Sequence, residues 1–171
     1  MQTSDRLDRL TVTASSPGGS VRVVLGAADG PDVRVRSNPA LPRAEPDLAA
    51  EIAATLNSAL AARRRANLMA IDSPGEPPPP TPALERRARF ERLIDAVAFT
   101  TVSAEGDVKI GWSGAEGISV GIRPGTLRVL NGRELSRQVT RTAARALASF
   151  AERVGAAHRK VYGAPFQRTK D

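Results

Sequence analysis

The sequence predicts an α+β protein built from two tandem β-β-β-α modules, each a three-stranded antiparallel meander packed on a long helix. Two observations carry this prediction. The second half of the 171-residue chain repeats the first half at a constant offset of 87 residues. In both halves a stretch of alternating apolar residues is followed by a helical apolar stripe. A constant offset across different element types indicates a duplicated unit.

The repeat places small or aliphatic residues at equivalent positions in turns, strands and helices. The matched pairs include Gly19 and Gly106, Val21 and Val108, Val33 and Val120, Leu48 and Leu135, and Ile52 and Val139. A module of roughly half this chain buries only a limited core by itself. We therefore expect the two modules to share a buried surface and to be related by a pseudo-twofold axis.

The first module begins with three short strands. Apolar and polar residues alternate at 10–14, 20–25 and 32–36, which predicts strands there. Gly18 and Gly19 lie in the first turn, where a positive φ is easily adopted only by glycine. The alternation gives the meander one apolar face, and that face needs a covering element.

A long helix is predicted to supply this cover. It begins near Pro46 or Asp47, because proline and an acidic residue both suit a first helical turn, and it runs to about Met69. Apolar side chains recur along it at helical spacing, at Leu48, Ile52, Leu56, Ala59 and Leu60.

A proline-rich linker, SPGEPPPPTP, is predicted at residues 73–82, since a proline run favours stiff polyproline II structure. The expected organisation is a first module at 1–72, this linker, a second module at 83–163 and a flexible tail at 164–171.

The second module opens with a helix at 82–97 that the first module lacks, and a long helix at 133–161 closes it. The apolar face of the opening helix carries Leu84, Phe90, Leu93, Ile94 and Val97. The strands between the two helices are predicted at 98–103, 107–112 and 118–123. Both meanders have open edges, which either pair edge to edge or are covered by helices packed across the pseudo-twofold axis.

Few residues of this chain are suited to catalysis or metal binding. Cysteine is absent and His158 is the only histidine, so the usual Cys and His ligands of a zinc site are missing. His158 is expected on the surface. Trp112 occupies the position of Leu25 in the repeat, which favours core packing over an exposed platform for a nucleotide base. We predict no enzyme activity, no catalytic residue, no cofactor and no metal.

The net charge of +7 is concentrated in the second half. Residues 1–72 carry nine Arg and Lys against eight Asp and Glu, a net charge of +1, whereas residues 73–171 carry sixteen against ten, a net charge of +6. Arginine predominates over lysine, and its planar fork binds phosphate with two parallel hydrogen bonds. An arginine-rich composition is also typical of GC-rich genomes.

An arginine ridge is predicted on the last helix. Arg133, Arg137, Arg141 and Arg145 recur every four residues, on the side away from the apolar stripe. Such a ridge contacts phosphates and provides affinity without sequence readout. The alternative is an ordinary solvated helix face.

Two further clusters complete the candidate nucleic-acid-binding residues. Arg63, Arg64 and Arg65 lie near the end of the first long helix, and Arg86 and Arg87 follow the linker. For the first cluster the alternative role is to bind the last carbonyl groups of its helix.

Two pairs of segments carry a family resemblance. They are GGSVRVVLGAADGPDVRVR with LAAEIAATLNSALAARRRA, and GDVKIGWSGAEGISVGIRPGTL with ELSRQVTRTAARALASFAE. A helix, a meander and a long helix in this order resemble the YbaB/EbfC family of nucleoid-associated proteins and its actinobacterial relatives. The resemblance covers roughly 10–70 and 83–162, most of the chain.

The resemblance implies a fold, a partner and one departure. Members of the family usually have one module per chain and dimerise, so this chain resembles a YbaB-like dimer fused into one polypeptide. It departs from the family in the first module, where only MQTSDRLDR stands in place of the leading helix. The family implies binding to DNA, although some actinobacterial relatives are associated with type VII secretion.

The resulting hypothesis is a nucleoid-associated-type protein that contacts the DNA backbone with little sequence specificity. The alternative is a protein-interaction module or a type VII secretion-associated chaperone that does not bind DNA. A homodimer of the fused chain and a protein partner both stay open. The chain has no apolar run near 20 residues, and MQTSDRLDRL lacks the apolar segment of a secretory signal. We expect no membrane association and a cytoplasmic, nucleoid-associated location.

Overall fold

Two three-stranded antiparallel sheets and four helices make up the described part of the chain. The computed structural model describes residues 11–26, 30–36, 43–71 and 80–163. The first half contains strands β1 Val12–Ser15, β2 Val21–Leu25 and β3 Pro31–Val35 and helix α1 Glu45–Ile71. The second half contains helix α2 Thr81–Asp95, strands β4 Ala98–Val102, β5 Val108–Ser113 and β6 Gly117–Ile122, and helices α3 Thr126–Val129 and α4 Gly132–Tyr162. The predicted α+β class is confirmed.

Each sheet is a meander in chain order, β1-β2-β3 and β4-β5-β6. The strand register is the same in both sheets at the offset of 87. Val12 pairs with Leu25 as Phe99 pairs with Trp112, and the register of β2 with β3 likewise matches that of β5 with β6. The first turns also agree, since Gly19 and Gly106 both adopt positive φ, at 67° and 77°.

One hydrophobic core is shared by both halves. Helix α1 packs on β1 and β2 of its own sheet and on β6 of the other, while α4 packs on β4 and β5 and on β3. The largest fully buried aliphatic side chains come from both halves: Leu25, Ile52, Leu56, Ile110, Leu135 and Val139 among them. The expected shared surface therefore exists, and each long helix bridges the two sheets.

The sheets do not meet edge to edge. Within the described ranges no strand of one sheet pairs with a strand of the other. Side chains of the long helices instead bind the outer edges of β6 and β3. Asn57 of α1 donates to the carbonyl of Ile118 at 2.8 Å and accepts from the N–H of Ile118 at 2.9 Å. Of the two arrangements that the sequence left open, the covering helix is the one adopted.

The outer edge of β3 is bound by two hydroxyl groups of α4. Thr140 accepts from the N–H of Val33 at 2.9 Å and Ser136 accepts from the N–H of Val35 at 2.8 Å. Thr140 also lies 3.2 Å from the Val33 carbonyl. Because an unpaired edge group costs free energy when water is excluded from it, these bonds stabilise the packing of α4 on the other half's sheet.

Trp112 is buried, as its place in the repeat predicts. Its ring stacks on Phe150 of α4 with centroids 4.1 Å apart, and Phe99 lies on a parallel plane 6.3 Å away. The guanidinium of Arg153 covers the Phe99 ring at 4.5 Å. An exposed base-stacking role for Trp112 is excluded by this packing.

Helix α2 differs from its prediction. It begins at Thr81 inside the predicted linker, because Pro82 in the first turn needs no N–H partner. None of its residues is buried, and the side chain of Leu84, predicted to lie on the apolar face, is 48% exposed. The ring of Phe90 touches His158 and Tyr162 of α4. The helix is thus attached along α4 rather than inserted into the core.

The segment before α4 contains a short helix that the sequence pattern did not predict, α3. Helix α4 then begins with a capping box, in which Asn131 accepts from the N–H of Glu134 and Glu134 accepts from the N–H of Asn131. None of the helices in the described ranges has the length and apolar character needed to cross a bilayer.

Candidate nucleic-acid interface

The arginine ridge lies on the solvent side of α4. Arg133, Arg137, Arg141 and Arg145 are all exposed, whereas the apolar residues Leu135, Val139, Ala143 and Ala146 are at most 1% exposed. The two sets separate because a four-residue spacing advances only about 40° per step around a helix. The four arginines span about 18 Å along the axis.

No carboxylate of the described residues lies within ion-pair distance of the ridge. Glu134, the acidic residue nearest in sequence, is engaged in the capping box. Arg145 is exposed and donates to the backbone carbonyl of Val102 at the end of β4. The ridge therefore presents net positive charge and not a mixture of signs.

A groove runs beside the distal end of the ridge. The β4–β5 turn forms one wall with Ser103, Ala104 and Glu105, and α4 forms the other with Gln138, Arg141, Thr142, Ala144 and Arg145. The groove has a volume of about 380 Å³. Glu105 places one acidic side chain in this groove, which Arg141 and Arg145 also line.

Contacts on the other flank of α4 set the direction in which the ridge faces. Ser136 and Thr140 lie one and three residues from Arg137 and hold α4 to the edge of β3. At the opposite flank, Gln138 donates to Asp107 at 3.0 Å, and Arg123 forms an ion pair with the same carboxylate. Periodicity marked only the apolar positions of α4, so these polar anchors were missed by the sequence analysis.

The first arginine cluster, Arg63 to Arg65, does not lie in the last turn of its helix. Helix α1 continues to Ile71 and has no basic residue in its last turn, so the alternative role of Arg63 to Arg65 as ligands of the last carbonyls is wrong. The helix runs on because residues 66–71 contain no glycine or proline to end it. Arg63 is half-buried and donates to the Gly26 carbonyl at 3.3 Å, while Arg64 and Arg65 are exposed.

The second cluster lies on α2. Arg86 is exposed, and Arg87 forms an ion pair with Glu91 at 3.0 Å. Helix α2 contacts α4 near His158, which is 13 residues, or about 20 Å, beyond Arg145. The structure thus brings the four ridge arginines together on one surface and attaches the α2 pair near the other end of α4.

Two carboxylates link elements near the start of α1. Glu45 accepts from the N–H groups of Gly125 and Leu127 at 3.0 and 3.4 Å. A hydrogen bond from its own backbone N–H is the main cause that lowers the pKa of Glu45, and the bonds from Gly125 and Leu127 add to it. These contacts connect the start of α1 to the segment before α4.

Glu51 is held by the first turn. Ser20 donates to one carboxylate oxygen and Arg43 to the other. Burial raises the pKa of Glu51, but hydrogen bonds from Ser16 and Ser20 and the charge of Arg43 outweigh it, so the pKa lies below its usual value.

Comparison with known proteins returned no match: no family model, no curated protein and no solved structure matches this chain.

Proposed function

We propose that the chain is a DNA-binding protein of the YbaB/EbfC type, which contacts the phosphate backbone through the arginine ridge of α4. The observation that carries the proposal is the ridge itself: four exposed arginines on one helix face, with no carboxylate of the described residues in ion-pair distance. Arg64, Arg65 and Arg86 are exposed and are further candidate phosphate contacts outside the ridge. No enzyme activity and no cofactor belong to this proposal.

The proposed architecture is a YbaB-like dimer fused into one chain, with modules at 1–72 and 81–163 related by a pseudo-twofold axis, a linker at 73–80, shortened because α2 begins at Thr81, and a tail at 164–171. Its support is the common strand register at an offset of 87 and the reciprocal packing of each long helix on the other half's outer strand. The ridge breaks this symmetry, because the positions equivalent to Arg133, Arg137 and Arg141 are Pro46, Ala50 and Ala54.

The proposed mechanism is electrostatic. Each arginine that neutralises a phosphate releases condensed counterions, so the logarithm of the affinity falls with the logarithm of the salt concentration at a slope of about −0.9 per phosphate contacted. Four contacts give a slope of about −3.6. Since arginine on a phosphate reads no base, sequence specificity is low.

Fluorescence anisotropy with labelled duplexes of unrelated sequence tests the proposal. We expect binding at low salt that weakens on a steep linear salt dependence and differs little between AT-rich and GC-rich duplexes. Absence of binding at low salt, or binding that ignores salt, contradicts the proposal.

The second candidate is a protein-interaction module, and one observation favours it. Helix α2 has no buried residue, and Leu84 leaves about half of its side chain exposed. The strand edges are less suited to this role, because Asn57, Ser136 and Thr140 already occupy parts of them. A protein that copurifies with the chain and is released by Leu84→Asp, with DNA binding absent, would favour this candidate.

A further inference from the structure

The outer strands of the two sheets are closed by different side chains, although their registers match. Ile118 of β6 presents both an N–H and a carbonyl to Asn57 of the other half. The equivalent residue of β3 is Pro31, which has no N–H. The amide of Asn57 thus lies against Ile118, whose N–H and carbonyl both bond to it. On the other helix, Ala144 occupies the position equivalent to Asn57.

The hydroxyl contacts follow a different logic. Ser136 and Thr140 bind Val35 and Val33 of β3, and the equivalent positions on α1 are Ala49 and Ala53. If two second halves paired with each other, the same hydroxyls would meet the equivalent edge residues of β6. Two first–second pairs contain four edge residues bound by these hydroxyls. One second–second pair would also contain four, and one first–first pair would contain none. Exchanging partners in this way therefore conserves the number of hydroxyl contacts.

The amide contacts are not conserved in that exchange. In a first–first pair Asn57 would face Pro31, whose missing N–H leaves the amide oxygen without a donor. In a second–second pair Ile118 would face Ala144, which offers its N–H and carbonyl nothing. Both Asn57–Ile118 pairs are lost, and an unsatisfied buried polar group is costly compared with a satisfied one.

We propose that this interface selects its partner: a first half associates with a second half in preference to a copy of itself, and Asn57, Ile118 and Pro31 are the residues that determine the choice. The inference rests on the proposed pseudo-twofold placement of the halves. It assigns to Ser136 and Thr140 a role in the strength of association and none in its selectivity.

The test starts from the full chain with a protease site inserted between residues 73 and 79. After cleavage, the fragments are allowed to exchange partners in moderate urea and are returned to buffer, and native mass spectrometry counts the three pair species. Random association of equal amounts gives the three species in the ratio 1: 2: 1, so the squared amount of the first–second pair divided by the product of the other two amounts is 4. We expect this ratio to exceed 4 by more than about tenfold. In the Asn57→Ala variant we expect this excess to disappear.

The matched control is Ser136→Ala with Thr140→Ala, which should lower the urea concentration at which pairs dissociate and leave the pair distribution selective. Halves that separate on cleavage, halves that pair at random, or selectivity that survives Asn57→Ala each overturn the proposal. The readout contains no DNA, so its outcome is independent of the proposed function.

Discussion

Positions 51 and 138 are equivalent in the repeat, and each helix there binds the first turn of its own sheet. In the first half the helix carries the carboxylate, Glu51, and the turn residue Ser20 donates to it. In the second half the turn carries the carboxylate, Asp107, and the helix residue Gln138 donates to it. The link between helix and turn is kept while donor and acceptor have exchanged places.

This exchange predicts a compensating pair of substitutions. Gln138→Glu places a second carboxylate beside Asp107 and removes the hydrogen bond between them, so we expect the free energy of unfolding to fall by about 1–3 kcal/mol. Adding Asp107→Ser recreates the arrangement of Ser20 and Glu51 and should recover most of the loss. Urea unfolding of both variants at pH 7 measures these free energies of unfolding. A double variant that is no more stable than Gln138→Glu alone would contradict the exchange of donor and acceptor.

Glu45 and Glu51 predict a pH dependence of stability. Both have a pKa below the ordinary value of 4.5, so their ionised forms favour the folded state. Their contribution is complete above pH 4.5 and is lost as the pH falls through the lowered values. We expect Glu51→Gln to reduce the urea midpoint at pH 7 and to reduce it by less at pH 3, because protonation of Glu51 in the parent protein removes part of the difference. A deficit that is the same at both pH values would show that ionisation is not the cause.

At the scale of the elements, the hydroxyl contacts of α4 predict a measurable cost. Ser136→Ala with Thr140→Ala leaves the N–H groups of Val33 and Val35 without their partners, and we expect a loss of about 1–2 kcal/mol in the free energy of unfolding. Alanine itself favours a helix, so the exposed Ser58→Ala on α1 serves as the control for propensity. A double variant as stable as this control would show that the contacts of Ser136 and Thr140 with β3 do not stabilise the fold.

The elements also show what a sequence pattern can and cannot predict. Strand alternation and the repeat predicted both meanders, and the apolar stripes of α1 and α4 predicted their buried faces, because burial leaves a periodic signal. The edge ligands Asn57, Ser136 and Thr140 leave none, since they lie beside the stripe and their partners are backbone groups. For α2 the apolar spacing indicated a buried face, yet Phe90 reaches only the side of α4 and Leu84 stays exposed.

The candidate site was predictable in part for the same reason. The four-residue spacing from Arg133 to Arg145 predicted a ridge on the side of the helix away from the core, and all four arginines are exposed in the structure. The contact of Arg63 with Gly26 joins residues 37 positions apart, and residue spacing does not encode it. The ion pair of Arg87 with Glu91 has the i, i+4 spacing of neighbours on one helix face, so the sequence did contain its signal.

At the scale of the whole molecule, the two halves share one core and differ in surface. The common register and reciprocal helix packing conserve apolar positions, whereas residues 73–171 carry +6 of the net charge. A fused chain allows this difference, because each copy of the module can change its surface without changing the other. In the proposed account the first half completes the core and the second half presents the ridge.

The most direct test of this account compares salt dependences of DNA affinity. The ridge variant is Arg133→Gln, Arg137→Gln and Arg141→Gln, and the control is Arg22→Gln, Arg89→Gln and Arg92→Gln, which removes the same charge from exposed arginines elsewhere. We predict that the ridge variant loses affinity for every duplex alike. The magnitude of its slope of log affinity against log salt should decrease by about 2.7, or 0.9 for each contact removed. The control should keep most of the slope of the parent protein. Equal losses in the two variants, or an unchanged slope in the ridge variant, would contradict the central claim.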